Sequence, residues 1–196
     1  MDSKHPHYLI DSIFKWEYGN AAYYVTAAML LIVALIGLLS RVDLLRARWG
    51  FVAVALALLP ALCEWITGIK FPWPMKFLLT LALLMHIAGG IFRFYFTLYP
   101  IFDKICHIVA AMGISFLVFV FILVLGGLTE KNFRRGIVVV CVFATVMVLG
   151  LTWEYAELRL DILSGSTYFV NPYDSVFDMI FNIIASAYWQ PSLTSI

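Results

Sequence analysis

Charged residues are scarce in this sequence. Asp, Glu, Lys and Arg make up 13% of the 196 residues, whereas 63% are hydrophobic, and the formal net charge is only +1. A soluble domain of this length needs far more charge at its surface, and a near-neutral chain gives no reason to expect a nucleic-acid partner. The composition excludes a soluble globular protein and predicts a chain that lies in a lipid bilayer.

Cysteine is also scarce, which excludes a disulfide framework. The three cysteines are an odd number, and each lies within an apolar run, as small core residues do; they are Cys63, Cys106 and Cys141.

The first 20 residues lack the basic start and apolar core of a signal peptide. Their apolar side chains instead recur at helical spacing, which predicts a short helix over 1–20 in the membrane interface.

Long apolar runs dominate the rest of the chain. A helical span needs about 20 residues to cross the hydrocarbon, and the length suits a single integral membrane domain over 1–196. We predict an all-α, polytopic membrane helix bundle over 21–189 with about six transmembrane helices. Their predicted ranges are 21–39, 49–66, 75–96, 102–125, 136–158 and 173–189. The longest predicted connection, 159–172, is of a length typical of a functional lid or cap.

Ionisable side chains recur at helical spacing near the ends of the last four predicted spans. Residues three or four apart share one face of a helix, and these span ends all meet at one membrane face. The polar sets are His86, Gly90 and Arg93; Asp103 and His107; Glu154 and Glu157; and Asp174, Asp178 and Asn182. Gly89 and Gly90 would let a neighbouring backbone or ligand approach closely. Because charge in a bilayer is costly, such residues usually face the bundle interior and indicate function.

Carboxylates and histidines on bundle helices are the ligand types of a divalent metal ion, whose identity the sequence leaves open. A metal could activate water for attack on an ester or phosphoester of a lipid-like substrate. His86, as a ligand or proton shuttle, Arg93, as an anion clamp, and Glu157 are the candidate catalytic residues. The candidate ligands are Asp103, His107, Glu154, Glu157, Asp174 and Asp178.

Two alternatives stay open. The same residues could relay protons or bind a coupling cation in a small-molecule transporter, with a homodimer supplying the second half. They could also form a structural polar network. Arg93 and Lys104 could equally snorkel to the interface or pair with the acidic residues, and Glu64 is expected to be interfacial.

Orientation depends on the basic residues of the loops. Seven Lys and Arg residues lie on the side of the two termini and four to six on the other side. The positive-inside rule therefore favours a multi-pass protein of the cell membrane with both termini in the cytoplasm.

Four short stretches resemble a known family. They are HIAGG at 86–90, FDKICH at 102–107, WEYAE at 153–157 and DSVFDMIFN at 174–182, and together they resemble the YjdF-like inner-membrane proteins, a family of unknown function. More distantly, 75–189 resembles the VanZ-like proteins associated with glycopeptide antibiotic tolerance. The chain departs from the VanZ-like pattern at Glu157, where Gln is usual, and at Ala185, where Gly is common. The resemblance implies the same site residues and no particular reaction.

Overall fold

The computed structural model describes residues 16–41, 43–129, 133–164 and 172–188, and within these ranges it is helical without strands. Seven helices follow one another in the described residues, of which five are long and apolar enough to cross a membrane. This confirms the predicted polytopic membrane helix bundle. The helices are α1 Trp16–Ser40, α2 Leu44–Thr67, α3 Trp73–Ile91, α4 Phe94–Thr97, α5 Ile101–Thr129, α6 Arg135–Ser164 and α7 Pro172–Tyr188.

The five candidate spans are Gly19–Ser40, Leu44–Thr67, Trp73–Ile91, Ile101–Thr129 and Arg135–Arg159. The predicted sixth span, 173–189, corresponds to α7, which has 17 residues. The predicted interfacial helix falls mainly on residues 1–15, outside the described part of the chain.

The chain divides into two compact units, Met1–Phe94 and Tyr95–Ile196. In the first unit α1, α2 and α3 pack against one another, and in the second unit α5, α6 and α7 do the same. Each unit is therefore a bundle of three helices. The single integral membrane domain over 1–196 stays a prediction.

Small and branched side chains let the helices of the first unit pack closely. Its core contains Leu30 from α1, Ala53 and Ala57 from α2, and Leu84 and Ile87 from α3. The outer faces are apolar as well, and the Trp65 side chain is 82% exposed. An apolar exterior around an apolar core is what a bilayer requires, because lipid tails solvate the outer side chains.

Several helix ends differ from the sequence prediction, which places the start of α1 at 21, the start of α2 at 49 and the end of α5 at 125 rather than at Trp16, Leu44 and Thr129. The third predicted span reaches residue 96, but α3 ends at Ile91 because Arg93 adopts a left-handed backbone with φ 60°. Its N–H donates to the carbonyl of Gly90 at 3.1 Å, which closes a tight final turn. Conversely, α6 continues to Ser164, so the start of the predicted 159–172 connection is helical. No glycine or proline interrupts 159–164, and the predicted lid at 165–171 lies outside the described residues.

A buried ion pair joins α2 to α3. The sequence predicts an interfacial Glu64; its side chain lies within one turn of the end of α2 and is only 9% exposed, and its partner Lys76 is 1% exposed. Lys76 Nζ donates to both carboxylate oxygens of Glu64 at 2.9 Å. The N–H of Phe71 also donates to Glu64 Oε1 at 2.7 Å, and Lys76 Nζ lies 5.1 Å from the centroid of the Tyr23 ring. These contacts fix the turn between the two helices.

Gly90 does allow a close neighbour, which is the side chain of an arginine. A Cβ atom at position 90 would overlap the guanidinium of Arg46 from α2. Arg46 is itself positioned by Asp43, the N-cap of α2, whose carboxylate lies 3.8 Å from Arg46 Nε. Gly90 therefore provides the space in which an α2 arginine packs against α3.

We expect Lys76→Met to lower the stability of the protein sharply, because it leaves the Glu64 carboxylate buried without its counter-charge. The loss of one partner of a buried pair costs about 3–5 kcal/mol. Thermal unfolding of the purified protein in mild detergent measures this effect. Lys70→Met, at an exposed lysine of the same turn, is the control. Equal melting temperatures for the two variants would contradict a stabilising role of the pair.

We expect Gly90→Ala to destabilise the first unit, because the added methyl group displaces Arg46. Gly127→Ala is the matched control, since a Cβ atom at position 127 of α5 meets no other atom within 4 Å. Alanine in place of glycine within a helix should leave the control unchanged or stabilise it by about 0.5–1 kcal/mol. Thermal unfolding compares the two variants, and a Gly90→Ala protein as stable as the control would disprove the packing role.

Candidate functional site

Six ionisable side chains of the second unit gather where the start of α5, the start of α7 and the second half of α6 meet. The three helices pack pairwise, and helical spacing places Asp103 with His107 and Asp174 with Asp178 on single faces. We call this set the His107 cluster; its members are Asp103, Lys104, His107, Glu154, Asp174 and Asp178. The structure thus brings together five of the six predicted metal ligands.

The centre of the cluster is removed from solvent. His107 and Glu154 are each 8% exposed and Asp178 is 2% exposed, whereas Asp103 and Asp174 are half-buried. Charged groups buried this deeply must be paired or must coordinate a cation. The partners of each charge therefore decide what the cluster can bind.

Lys104 is bound by three aspartates. Its Nζ lies 2.5 Å from Asp174 Oδ1, 2.7 Å from Asp178 Oδ1 and 3.1 Å from Asp103 Oδ2. An ammonium group has three protons to donate, so each proton has a carboxylate partner. The sequence leaves open whether Lys104 snorkels to the interface or pairs with the acidic residues, and in the structure it pairs with them. Lys104 is not among the predicted site residues, although the excess of acidic residues at these helix ends is a signal that a cation is needed there.

Three carboxylate oxygens converge on the imidazole of His107. Its Nε2 lies 3.4 Å from Glu154 Oε1, 3.7 Å from Asp178 Oδ1 and 3.9 Å from Asp103 Oδ1. These separations exceed the usual 2.7–3.2 Å of an N–H···O hydrogen bond. Ligand atoms about 2.0–2.2 Å from one tetrahedral metal ion stand about 3.3–3.6 Å apart. The 3.4 Å separation falls in this range, and Nε2 forms with oxygens of Asp103 and Asp178 a group of possible ligand atoms that all lie within 4.8 Å of one another.

Glu154 uses its two carboxylate oxygens differently. Oε2 accepts a hydrogen bond from the hydroxyl of Ser175 on α7 at 2.7 Å. Oε1 is buried and accepts no hydrogen bond from any residue in the described part of the chain, although it is the oxygen closest to His107 Nε2. An unsatisfied buried carboxylate oxygen is costly, and a bound cation at this point would satisfy it.

Negative charge is in excess within the cluster. Four carboxylates face one ammonium and one histidine, so a divalent cation would offset the imbalance. At the edge of the cluster, the Tyr99 hydroxyl donates to Asp174 Oδ1 at 3.4 Å. Loss of solvent and the negative charge of Asp174 raise the pKa of Tyr99 above its usual value. Tyr99 therefore stays a neutral hydrogen-bond donor.

The other predicted site residues lie elsewhere along the chain. Glu157 is half-buried one turn beyond Glu154 on α6. His86 is half-buried on α3, and Arg93 is exposed directly after α3, so both belong to the first unit. The catalytic roles of these three residues stay predictions.

Close helix packing, which the sequence does not predict, lies one turn inward from the cluster. Asn182 of α7 is 4% exposed, and a Cβ atom at Gly150 of α6 would lie 2.7 Å from Asn182 Nδ2. The next layer is apolar, with Ala111, Val146 and Ala185 in contact. The cluster is thus closed on its inner side by hydrocarbon, which lowers the local dielectric and strengthens any electrostatic interaction with a bound ion.

Comparison with known proteins gives one match. The family model described as predicted membrane protein, DUF2238, matches residues 21–191. That range contains every member of the His107 cluster as well as His86, Arg93 and Glu157. No curated protein and no solved structure matches the chain.

Proposed function

This chain belongs to the DUF2238 family of predicted membrane proteins, and we propose that it is a metal-dependent membrane enzyme that acts on a lipid-like substrate. The observation that carries the proposal is the convergence of three carboxylate oxygens on His107 Nε2 at 3.4–3.9 Å. The ligands would be His107, Asp103 and Asp178, whose ligand atoms all lie within 4.8 Å of one another, and Glu154, whose Oε1 lies 3.4 Å from His107 Nε2 but outside that group. Imidazole with carboxylates suits a borderline or hard divalent ion such as Zn²⁺ or Mn²⁺.

The groups around these ligands support the assignment. Ser175 holds the second oxygen of Glu154, and Lys104 holds Oδ2 of Asp103, so that the remaining oxygen of each carboxylate lies on the side of His107. Metal-ligating carboxylates are usually oriented by hydrogen bonds of this kind. Asp174, a predicted ligand, binds Lys104 and the Tyr99 hydroxyl instead.

A divalent metal at this position would supply a water molecule of lowered pKa and would polarise an ester or phosphoester oxygen. His107 follows Ile101 by six residues, so its Cα lies about 9 Å along α5 from the helix start. A lipid whose polar group sits at the membrane interface and whose chains lie in hydrocarbon could reach this depth. Glu157 is the proposed catalytic residue of the second unit, and the roles of His86 as a proton shuttle and of Arg93 as an anion clamp stay predictions.

A second candidate function is a transporter of a small molecule coupled to protons or a cation. Lys104 favours it, because an ammonium held by three aspartates is an arrangement in which cations or protons can exchange within a membrane protein. Catalytic turnover separates the enzyme from the transporter. A structural polar network, the third alternative, would need neither metal nor transport.

Finer assignments are proposals too. The YjdF-like resemblance is compatible with the family match, whereas the departures at Glu157 and Ala185 argue against a VanZ-like role in antibiotic tolerance. A location in the cell membrane with both termini in the cytoplasm, and a homo-oligomer, belong to the same proposal.

We expect protein purified in mild detergent without chelator to contain about one divalent metal ion per chain, measured by elemental analysis. The double variant His107→Ala, Asp103→Ala should lose the metal, because two of the four ligands are gone. Thr152→Ala, at an exposed residue of α6, is the control that should keep it. Release of fatty acid or phosphate from mixed lipid micelles should follow the metal content.

A folded wild type that stays metal-free after incubation with Zn²⁺ or Mn²⁺ would contradict the metal site. Stoichiometric metal without turnover on any lipid ester or phosphoester would contradict the enzyme and leave cation-coupled transport as the better explanation.

A further inference from the structure

We infer that Lys104 is an internal competitor for the cation site, and that a metal ion binds only when the ammonium leaves Asp178. This inference rests on the proposed function and concerns how the same site is controlled. One oxygen carries it: Asp178 Oδ1 lies 2.7 Å from Lys104 Nζ and 3.7 Å from His107 Nε2. The lysine therefore already binds an oxygen that the metal would use.

The two cations cannot share this oxygen at low cost. A metal about 2.1 Å from Asp178 Oδ1 would stand within a few ångströms of an ammonium bound to the same atom. Like charges at this separation repel strongly where water is excluded, and Asp178 is only 2% exposed. Occupancy by a divalent ion therefore requires Lys104 to break this one bond.

Two other carboxylates of the cluster can keep Lys104 bound when it leaves Asp178. Its ammonium also binds Asp174 Oδ1 and Asp103 Oδ2, and neither oxygen is among those that converge on His107 Nε2. The group of potential ligands whose atoms all lie within 4.8 Å of one another contains Asp103, His107 and Asp178. A short movement of Lys104 toward Asp174 would keep two of its three bonds and free Asp178. Asp174 then serves as the anchor for the displaced lysine.

The surroundings argue against a different role for Lys104 as a clamp for an anionic substrate. All three ammonium protons have carboxylate partners, and the charges nearby are mainly negative. Such an environment attracts cations and repels anions. A second observation points to a cation as the ligand, namely the buried Glu154 Oε1, which lacks a hydrogen bond within the described ranges and lies 3.4 Å from His107 Nε2.

The experiment compares Mn²⁺ binding by the full chain in mild detergent, measured from the electron paramagnetic resonance signal of free Mn²⁺. Lys104→Met removes the charge and keeps the length of the side chain, whereas Lys104→Arg keeps the charge. We expect Lys104→Met to bind Mn²⁺ about tenfold or more tightly than wild type, because no internal cation opposes the metal. Lys104→Arg should stay within about threefold of wild type.

Each outcome decides the matter. Tighter binding by Lys104→Met, or binding by this variant alone, supports competition. Equal or weaker binding by Lys104→Met beside a wild type that binds one Mn²⁺ overturns the inference and leaves the metal site standing. Absence of binding in both proteins overturns the metal site and the inference together. Gel filtration checks folding, and Lys104→Gln replaces Lys104→Met if the latter aggregates.

Discussion

The cost of placing charge within hydrocarbon is the constraint on which both units depend. A buried carboxylate or ammonium must have a partner, because lipid tails and apolar side chains cannot solvate it. In the first unit, Lys76 satisfies Glu64 with two contacts of 2.9 Å. In the second unit, Lys104 contacts three aspartates at once. Helix ends that carry these residues can meet only where the charges meet, so ion pairing fixes the packing there.

The two units differ in the balance of positive and negative charge around their buried carboxylates. Each is a bundle of three helices in which a buried glutamate in the second half of the middle helix meets polar side chains at the start of the third. Glu64 and Lys76 form a pair of equal and opposite charge, which is what a structural contact requires. Glu154 instead meets Ser175 and a histidine, in a cluster that keeps an excess of negative charge. The imbalance, rather than burial alone, distinguishes the second site as a candidate for ligand binding.

Sequence patterns predict contacts within one helix far better than contacts between helices. The spacing of Asp103 with His107 and of Asp174 with Asp178 places each pair on one face, and the order of the spans brings them to one level. Which side chains then touch depends on the rotation and crossing of the helices, which no spacing shows. The choice between the two alternatives for Lys104, and the partner of Glu64, could not be predicted for this reason. The early end of α3 depends on the left-handed backbone of Arg93, a conformation typical of glycine rather than arginine.

Excess negative charge in a buried cluster can be offset by protons or by a metal ion. The distances from the carboxylate oxygens to His107 Nε2 differ between these two cases. A protonated carboxyl donates a short hydrogen bond to a neighbouring carboxylate or imidazole, so protonation would draw the groups around His107 to within about 3 Å. The three oxygens instead stand 3.4–3.9 Å from Nε2. Lys104, by contrast, lies within hydrogen-bond distance of all its partners. Loose contacts around the imidazole beside tight contacts around the ammonium are the feature on which the proposed metal site depends.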